Sequence, residues 1–211
     1  MKRSRRMEYI KDPEEIVRRS FTAIRAATDL SSIPHDIEPV ALRLVHTTGD
    51  PEIVQHLAFS PEAGRVGSQA LAQGATILTD CEMVASGISR GLRGERKIIC
   101  TLNDVSIPAL AKKLGTTRSA AAVELWKEHL AGAIVAIGNA PTTLFHLLER
   151  LEEGWPAPAL ILGFPVGFIG AAESKGELIS RPFPYIALRG RRGGSPLAAT
   201  AVNALLGAKN G

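Results

Sequence analysis

The sequence predicts an α/β/α sandwich, in which helices cover both faces of a parallel five-stranded sheet and extra helices lie at the N-terminus. Two observations lead to this prediction. Five short apolar runs show little alternation of polar and apolar residues, which is typical of strands buried on both faces. Helical patterns separate these runs, and strands that alternate with helices favour a parallel sheet. The predicted strands cover residues 75–78, 98–102, 133–137, 159–162 and 185–188.

The predicted helices begin with the one that has the clearest start. Asp12, Pro13 and Glu15 supply an N-cap, a proline at the first helical position and a carboxylate in the first turn. The residues predicted to be helical are 13–28, 38–48, 51–57, 81–89, 106–114, 119–131, 142–153, 171–178 and 196–206. We favour a flavodoxin-like strand order, 2-1-3-4-5, over a six-stranded Rossmann order. This order puts the topological switch point, where such sheets bind ligands, between the first and third predicted strands.

The positive charge of the chain is concentrated at its N-terminus. The net charge is +4 and the pI is about 9.3. Four positive charges lie in the first six residues, at Lys2, Arg3, Arg5 and Arg6. Residues 7–211 therefore have no net charge, and we expect no nucleic-acid partner. Residues 1–8 are predicted to form a disordered basic leader, and residues 9–211 a single domain.

Two uncharged stretches have the length of a membrane span. Residues 129–148 and 154–172 contain no Asp, Glu, Lys or Arg, and a span requires ~18–20 residues. Three prolines interrupt the second stretch and a Gly-Asn-Ala-Pro turn interrupts the first, so neither forms a continuous helix. The two cysteines are too few for a disulfide framework, which favours free thiols in a reducing compartment. We therefore expect a cytoplasmic protein that does not enter a membrane.

Common catalytic and nucleotide-binding motifs are absent. Gly163, Gly167 and Gly170 have the spacing GxxxGxxG, which is neither a dinucleotide-binding fingerprint nor a phosphate loop. The letters GISRG at 87–91 have the GxSxG spacing, but they lie at the end of a predicted helix and not after a predicted strand, so they do not form the nucleophile elbow of a hydrolase. The five histidines form no pair with metal-ligand spacing, so we expect no metal site.

Arg43 and His46 form the most informative pair of polar residues. They are three positions apart in a predicted helix and therefore lie on one face. A histidine beside a fixed cation gives up its proton readily, which suits a general acid. A solvated arginine beside a hydrogen-bonded histidine has the same pattern, so the residues alone leave both interpretations open.

Two further groups of polar residues favour an anionic ligand. One is the helix start at residues 116–119, where free backbone N–H groups attract anions. The other contains Lys175 and the arginines at positions 181, 189, 191 and 192. Both are typical of solvated loops. If they converge on one cleft, they suit a ligand that carries several carboxylates.

Several motifs along the chain resemble the precorrin-8X methylmutase family, which includes the cobalt-precorrin-8 methylmutases. The resemblance covers residues 9–206. The motifs are YIKDP at 9–13, RLVHTTGD at 43–50, TDC at 79–81, GNAPT at 138–142, GFPVGF at 163–168 and AESK at 172–175. The resemblance implies an isomerase of cobalamin biosynthesis with a flavodoxin-like fold, a homodimeric state and no cofactor. Such an enzyme moves a methyl group from C-11 to C-12 of a tetrapyrrole, giving hydrogenobyrinic acid or its cobalt analogue.

The resemblance also assigns candidate site residues. It implies that His46 is the catalytic general acid and that Arg43 and Ser20 contact the substrate. Weaker matches suggest substrate contacts for Thr79, Arg118, Glu173 and Lys175. Two other classes of function remain open: a tetrapyrrole carrier without catalytic activity, and a flavodoxin-like nucleotide-binding or signalling module. The sequence does not distinguish a metal-free substrate from a cobalt-containing one.

Overall fold

A single mixed sheet forms the centre of the protein, whose computed structural model describes residues 8–207. Its strands are β1 Leu57–Phe59, β2 Ile77–Thr79, β3 Ile98–Cys100, β4 Ile134–Ile137, β5 Leu160–Gly163 and β6 Tyr185–Leu188. Within the described residues, the order is β1-β6-β5-β4-β2-β3. Strands β2 to β6 pair in parallel, whereas β1 pairs antiparallel to β6. All five predicted strands are present, but the prediction of a purely parallel five-stranded sheet is wrong, because β1 adds a sixth, antiparallel strand.

Strand β1 follows a helical turn that the sequence predicts as one short helix over residues 51–57. In the structure, a 3₁₀-helix covers Pro51–His56, and the chain extends directly from Leu57. Only three residues form the strand, with Leu57 opposite Leu188 of β6. Its pairing with β6, rather than any local pattern, defines this strand.

The helices agree with the prediction except between β1 and β2 and around residues 90 and 124. They are α1 Pro13–Ala27, α2 Glu38–Thr48, α3 Ala63–Ala72, α4 Glu82–Gly87, α5 Arg90–Arg93, α6 Ile107–Leu114, α7 Arg118–Val123, α8 Pro141–Glu152, α9 Ala171–Ile179 and α10 Ser195–Leu205. The sequence does not predict α3 or α5. The predicted helix 119–131 is divided into α7 and a 3₁₀-helix, Glu124–His129. Asp12 caps α1 as predicted, because its carboxylate accepts a hydrogen bond from the Glu14 N–H.

Helices cover both faces of the sheet. Ile134 and Ala136 of β4 pack with residues of α2, α3, α4 and α10. Val135 and Ile137, which point to the opposite face, pack with α8, α9 and the second 3₁₀-helix. This arrangement explains why the strand sequences do not alternate. Helix α1 packs against α2, and Phe21 is its buried residue.

The carboxyl ends of the parallel strands and the end of α2 lie at the same edge of the sheet. The chain leaves β2 toward α4 on one face and leaves β4 toward α8 on the other. The switch point is therefore between β2 and β4, where ligands of such sheets bind. Because β1 is antiparallel, its amino end meets the carboxyl end of β6, where the Arg189 N–H donates to the His56 carbonyl. The 3₁₀-helix that follows α2 thus ends at this edge.

Two expectations concern the N-terminus and membranes. The predicted basic leader at residues 1–8 lies outside the described residues, apart from Glu8. Between residues 8 and 207, no helix is both long and apolar enough to cross a membrane.

Candidate functional site

Ser20 and His46 line one open cavity between α1 and the end of α2. The cavity has a volume of about 400 Å³, and apolar side chains of α1 form much of its wall. Ser20 is half-buried and His46 is exposed, so both side chains are accessible to a ligand. The structure thus brings together two residues that are 26 positions apart in the sequence.

Phe21 of α1 contacts both His46 and Arg43 of α2. Its side chain is buried, and its ring is stacked on the His46 imidazole with a centroid distance of 5.1 Å and an interplanar angle of 11°. The Arg43 guanidinium lies 5.1 Å from the centroid of the same ring. Arg43 and His46 therefore share one face of α2, as their spacing predicts. Partial burial lowers the pKa of Arg43, although a guanidinium remains protonated at neutral pH.

Side-chain contacts from distant segments hold the end of α2 in place. Gly49 ends the helix with a φ of 65°, a left-handed conformation that glycine adopts without strain. The Thr47 and Thr200 hydroxyls are 2.9 Å apart, which connects α2 to α10. The Arg192 guanidinium donates to the Asp50 carboxylate at 2.8 Å. His46 therefore lies in a helix end that contacts both α10 and the loop after β6.

Glu173 and Lys175 differ sharply in their surroundings. Glu173 is exposed in the first turn of α9, and its carboxylate has no hydrogen bond or ion pair within residues 8–207. Lys175 has no exposed surface, and its ammonium donates to the Arg192 carbonyl at 2.6 Å. Burial lowers the pKa of Lys175 to about 8. Through Arg192, which also contacts Asp50, the Lys175 ammonium is connected to the end of α2.

Thr79 and Arg118 lie near the opposite end of the same sheet edge. Thr79 is fully buried at the end of β2, and its hydroxyl donates to the Ile99 carbonyl at 3.4 Å. Arg118 is exposed at the start of α7, and its guanidinium donates to the Leu102 carbonyl at 3.1 Å. The structure therefore groups Ser20, Arg43 and His46, but does not bring Thr79 or Arg118 into contact with them.

Asp80 is a buried carboxylate that is not among the site residues predicted from the sequence. Its oxygens accept hydrogen bonds from the backbone N–H groups of Gly138 at 3.0 Å, Asn139 at 2.8 Å and Ala140 at 2.9 Å. Burial raises the pKa of Asp80, while the three N–H groups oppose this shift by stabilising the charged form. An aspartate directly after a buried strand, with a Gly-Asn turn after another strand, is the signal that indicates such a contact.

The two cysteines are free, as predicted. Burial raises the pKa of the Cys100 thiol to about 11. Residues 8–207 contain no group of three or more His, Cys, Asp or Glu side chains that could hold a metal ion.

An α/β sandwich with a histidine and a serine in an open cavity, near the carboxyl ends of its strands, has the organisation of an enzyme that acts on a small molecule. A model of the family described as precorrin-8X methylmutase matches residues 15–208. The chain therefore belongs to the precorrin-8X methylmutase family, whose members are isomerases of cobalamin biosynthesis.

Individual relatives agree with this family. The chain is 56% identical to the precorrin-8X methylmutase of Pseudomonas aeruginosa, over 94% of this chain and 97% of that protein. It is 34% identical to the cobalt-precorrin-8 methylmutase of Priestia megaterium, over 92% and 87% of the two chains. The solved structure of a precorrin-8X methylmutase from Thermus thermophilus matches with a TM-score of 0.81 and 36% identity, over 92% and 94% of the two chains.

Proposed function

We propose that this protein is an isomerase that moves a methyl group from C-11 to C-12 of precorrin-8X and thereby produces hydrogenobyrinic acid. Family membership supports the reaction. The single observation that supports the location of the proposed active site is the cavity that Ser20 and His46 share. The identity of 56% to a precorrin-8X methylmutase, against 34% to a cobalt-precorrin-8 methylmutase, favours the metal-free substrate.

His46 is the proposed general acid of this reaction. The methyl group moves with its bonding electrons between two neighbouring carbon atoms, so the product has the same atoms as the substrate. Protonation of the conjugated ring system promotes the shift, because the positive charge draws the migrating electrons toward C-12. His46 donates this proton and recovers it when the product forms, so no net proton is consumed. Its exposed imidazole, stacked on Phe21, is compatible with this role.

The other proposed site residues hold the macrocycle. Arg43 and Arg118 are cations that suit its carboxylates, and the Ser20 hydroxyl donates a hydrogen bond near His46. Glu173 is exposed and unpaired in the described part of the chain, so it is available to a protonated group of the ligand. Thr79 and Lys175 are fully buried, so contact with the substrate requires a rearrangement of the residues around them. Holding the ring in one orientation supplies the rest of the catalysis, and no cofactor is required.

The assembly and location of the enzyme are part of the same proposal. A homodimer is supported by large apolar side chains at the carboxyl-end edge, because Val105, Phe168 and Ile169 are 83–95% exposed. Light scattering during size-exclusion chromatography measures the mass of the assembly. The free thiols of Cys81 and Cys100 support a cytoplasmic location. Residues 9–211 are proposed to act as one catalytic domain.

Replacement of His46 tests the proposed function directly. We expect His46→Ala to reduce conversion of precorrin-8X by at least about 100-fold, the lower range for loss of a general acid. Conversion is followed by visible absorption. His35→Ala is the matched control, because this histidine is exposed before the opposite end of α2.

Two outcomes contradict the proposal in different ways. Undiminished turnover by folded His46→Ala refutes the role of His46. A wild-type protein that changes the absorption spectrum of a tetrapyrrole on binding, but never converts precorrin-8X, is instead a carrier. An unfolding curve of His46→Ala that matches the wild type shows that any loss of turnover is not a loss of folding.

A further inference from the structure

Asn139 occupies a central position at the switch point of the sheet. It is the second residue after β4, and β4 lies between β2 and β5. Its side chain is exposed, and the amide makes no hydrogen bond to any of residues 8–207. A side-chain amide that is exposed in a ligand-binding crevice is available to a ligand, both as a donor and as an acceptor.

The backbone around Asn139 is held rigidly although its side chain is free. Three consecutive N–H groups, from Gly138 to Ala140, donate to the buried Asp80 carboxylate. Helix α10 also packs closely on this loop, because a Cβ on Gly138 would lie 2.6 Å from the Ser195 Cα. The Asn139 side chain therefore projects from a loop whose backbone is fixed by β2 and by α10. A side chain on a fixed backbone loses little freedom when it binds a ligand.

Contacts of neighbouring residues connect the loop of Asn139 to both groups of candidate site residues. On one side, the Thr142 hydroxyl is 2.8 Å from that of Thr117, which precedes Arg118. On the other side, Gly138 packs against Ser195 at the start of α10, and Thr200 of the same helix contacts Thr47, which follows His46. Ser195 and Thr200 are about 7.5 Å apart along the helix axis. The loop that carries Asn139 is thus connected through packed neighbours both to α7, which carries Arg118, and to α2, which carries His46.

We propose that Asn139 is a further substrate-binding residue, whose amide donates a hydrogen bond to a carboxylate of the tetrapyrrole, and that Asp80 is its positioning residue. The inference rests on the proposed function, because it takes the ligand to be a polycarboxylate ring. The backbone N–H groups of this loop are occupied by Asp80, so the side chain is the donor that the loop offers to an anion. Asp80 does not touch the substrate and acts through the loop.

Three variants test the role of Asn139. Asn139→Ala removes the amide, and we expect KM for precorrin-8X to rise about tenfold or more while kcat changes less than about twofold. Asn139→Asp replaces the donor by a carboxylate that repels the substrate, so its KM is expected to rise further. Gln73→Ala is the matched control, because this exposed amide lies before β2 at the opposite edge of the sheet.

A double-mutant cycle tests the role of Asp80. Asp80→Asn keeps the shape of the side chain but turns an NH₂ group toward backbone donors, which releases the loop. If Asp80 acts through Asn139, the double variant Asp80→Asn/Asn139→Ala has a KM no higher than that of the more impaired single variant. Additive effects on KM overturn the positioning role. If Asp80→Asn does not fold, Asp80→Glu is used in the same cycle.

The outcomes separate this inference from the proposed function. A wild-type protein that does not convert precorrin-8X refutes the proposed function, and this inference fails with it. An active wild type whose KM is unchanged in both Asn139 variants overturns only the present inference. A raised KM in both variants, with the order Asp above Ala and a wild-type KM for Gln73→Ala, supports it.

Discussion

The buried amine of Lys175 gives the protein an unusual dependence of stability on pH. Lys175 has no exposed surface, and burial lowers its pKa from 10.5 to about 8. The unfolded chain keeps this proton up to about pH 10.5, whereas the folded chain releases it near pH 8. Between these values the unfolded state binds more protons, so the free energy of unfolding rises with pH. Lys175 is therefore destabilising at neutral pH, and this effect is relieved as the pH increases.

The size of the effect follows from the pKa difference. Each unit of pKa corresponds to about 1.4 kcal/mol, so the shift to about 8 gives a penalty of about 3 kcal/mol at neutral pH. Lys175→Met removes this penalty but leaves the Arg192 carbonyl without its donor, which costs about 1–3 kcal/mol. We expect the variant to be as stable as the wild type, or up to about 2 kcal/mol more stable, at pH 7. At pH 10 the neutral amine still donates in the wild type, and the variant becomes the less stable protein.

Urea unfolding at pH 7 and pH 10 measures the difference in free energy of unfolding between Lys175→Met and the wild type, and the sign of this difference is expected to change. The comparison between wild type and variant is essential, because Cys100 acts in the opposite direction. Burial raises the pKa of its thiol from 9.0 to about 11. Between pH 9 and pH 11 the unfolded state therefore binds fewer protons than the folded state, and the free energy of unfolding falls as the pH rises. The contribution of Cys100 cancels when the free energy of unfolding of the wild type is subtracted from that of the variant at the same pH. Lys112→Met, at an exposed lysine of α6, is the control for replacing a lysine by methionine. A Lys175→Met difference that does not change with pH refutes the reasoning.

Two further predictions concern Phe21 and Cys100. Phe21→Leu keeps apolar bulk but removes the aromatic face against which Arg43 and His46 pack. We expect it to lower the free energy of unfolding by about 1–2 kcal/mol and kcat/KM by about tenfold, measured by urea unfolding and by the absorption assay. Wild-type turnover would contradict a positioning role for this ring. The pKa of about 11 keeps the Cys100 thiol protonated, so iodoacetamide at pH 8 is expected to modify the peptide containing Cys100 in the unfolded chain but not in the native protein. Mass spectrometry measures the labelled fraction of that peptide, and equal labelling of the native and the unfolded protein rules the prediction out.

The strands that can be predicted from the sequence are those whose complete burial requires that all of their own residues be apolar or small. All four residues of β4 are buried, and so are those of β5 and β6, which produces uninterrupted apolar runs. Strand β1 has only three residues and exists through its pairing with β6. Helix α3 contains Gly64 and Gly67, which disfavour a helix in isolation. The packing requires them, because a Cβ on Gly64 would lie 1.9 Å from the Asp36 carbonyl oxygen.

The candidate site also combines features that the local sequence determines with features that depend on how distant segments pack. The shared face of Arg43 and His46 follows from the period of one helix and is predictable. The contact of Phe21 with both depends on how α1 crosses α2. The Arg192–Asp50 ion pair joins residues that are 142 positions apart, and it depends on the antiparallel position of β1 beside β6. Arg192 belongs to a group of cationic residues that is recognisable in the sequence, but its partner Asp50 follows only from the topology.

The loop between β4 and α8 bears on which class of ligand the sheet binds. In doubly wound sheets, free N–H groups at a helix start beside the switch point bind the phosphates of nucleotides. Here the N–H groups of Gly138, Asn139 and Ala140 donate to Asp80, a buried carboxylate of the protein itself. A phosphate at this position would lose these donors and face a negative charge. Anionic groups of a ligand at this loop must therefore be recognised by side chains, which favours a polycarboxylate ring over a nucleotide here.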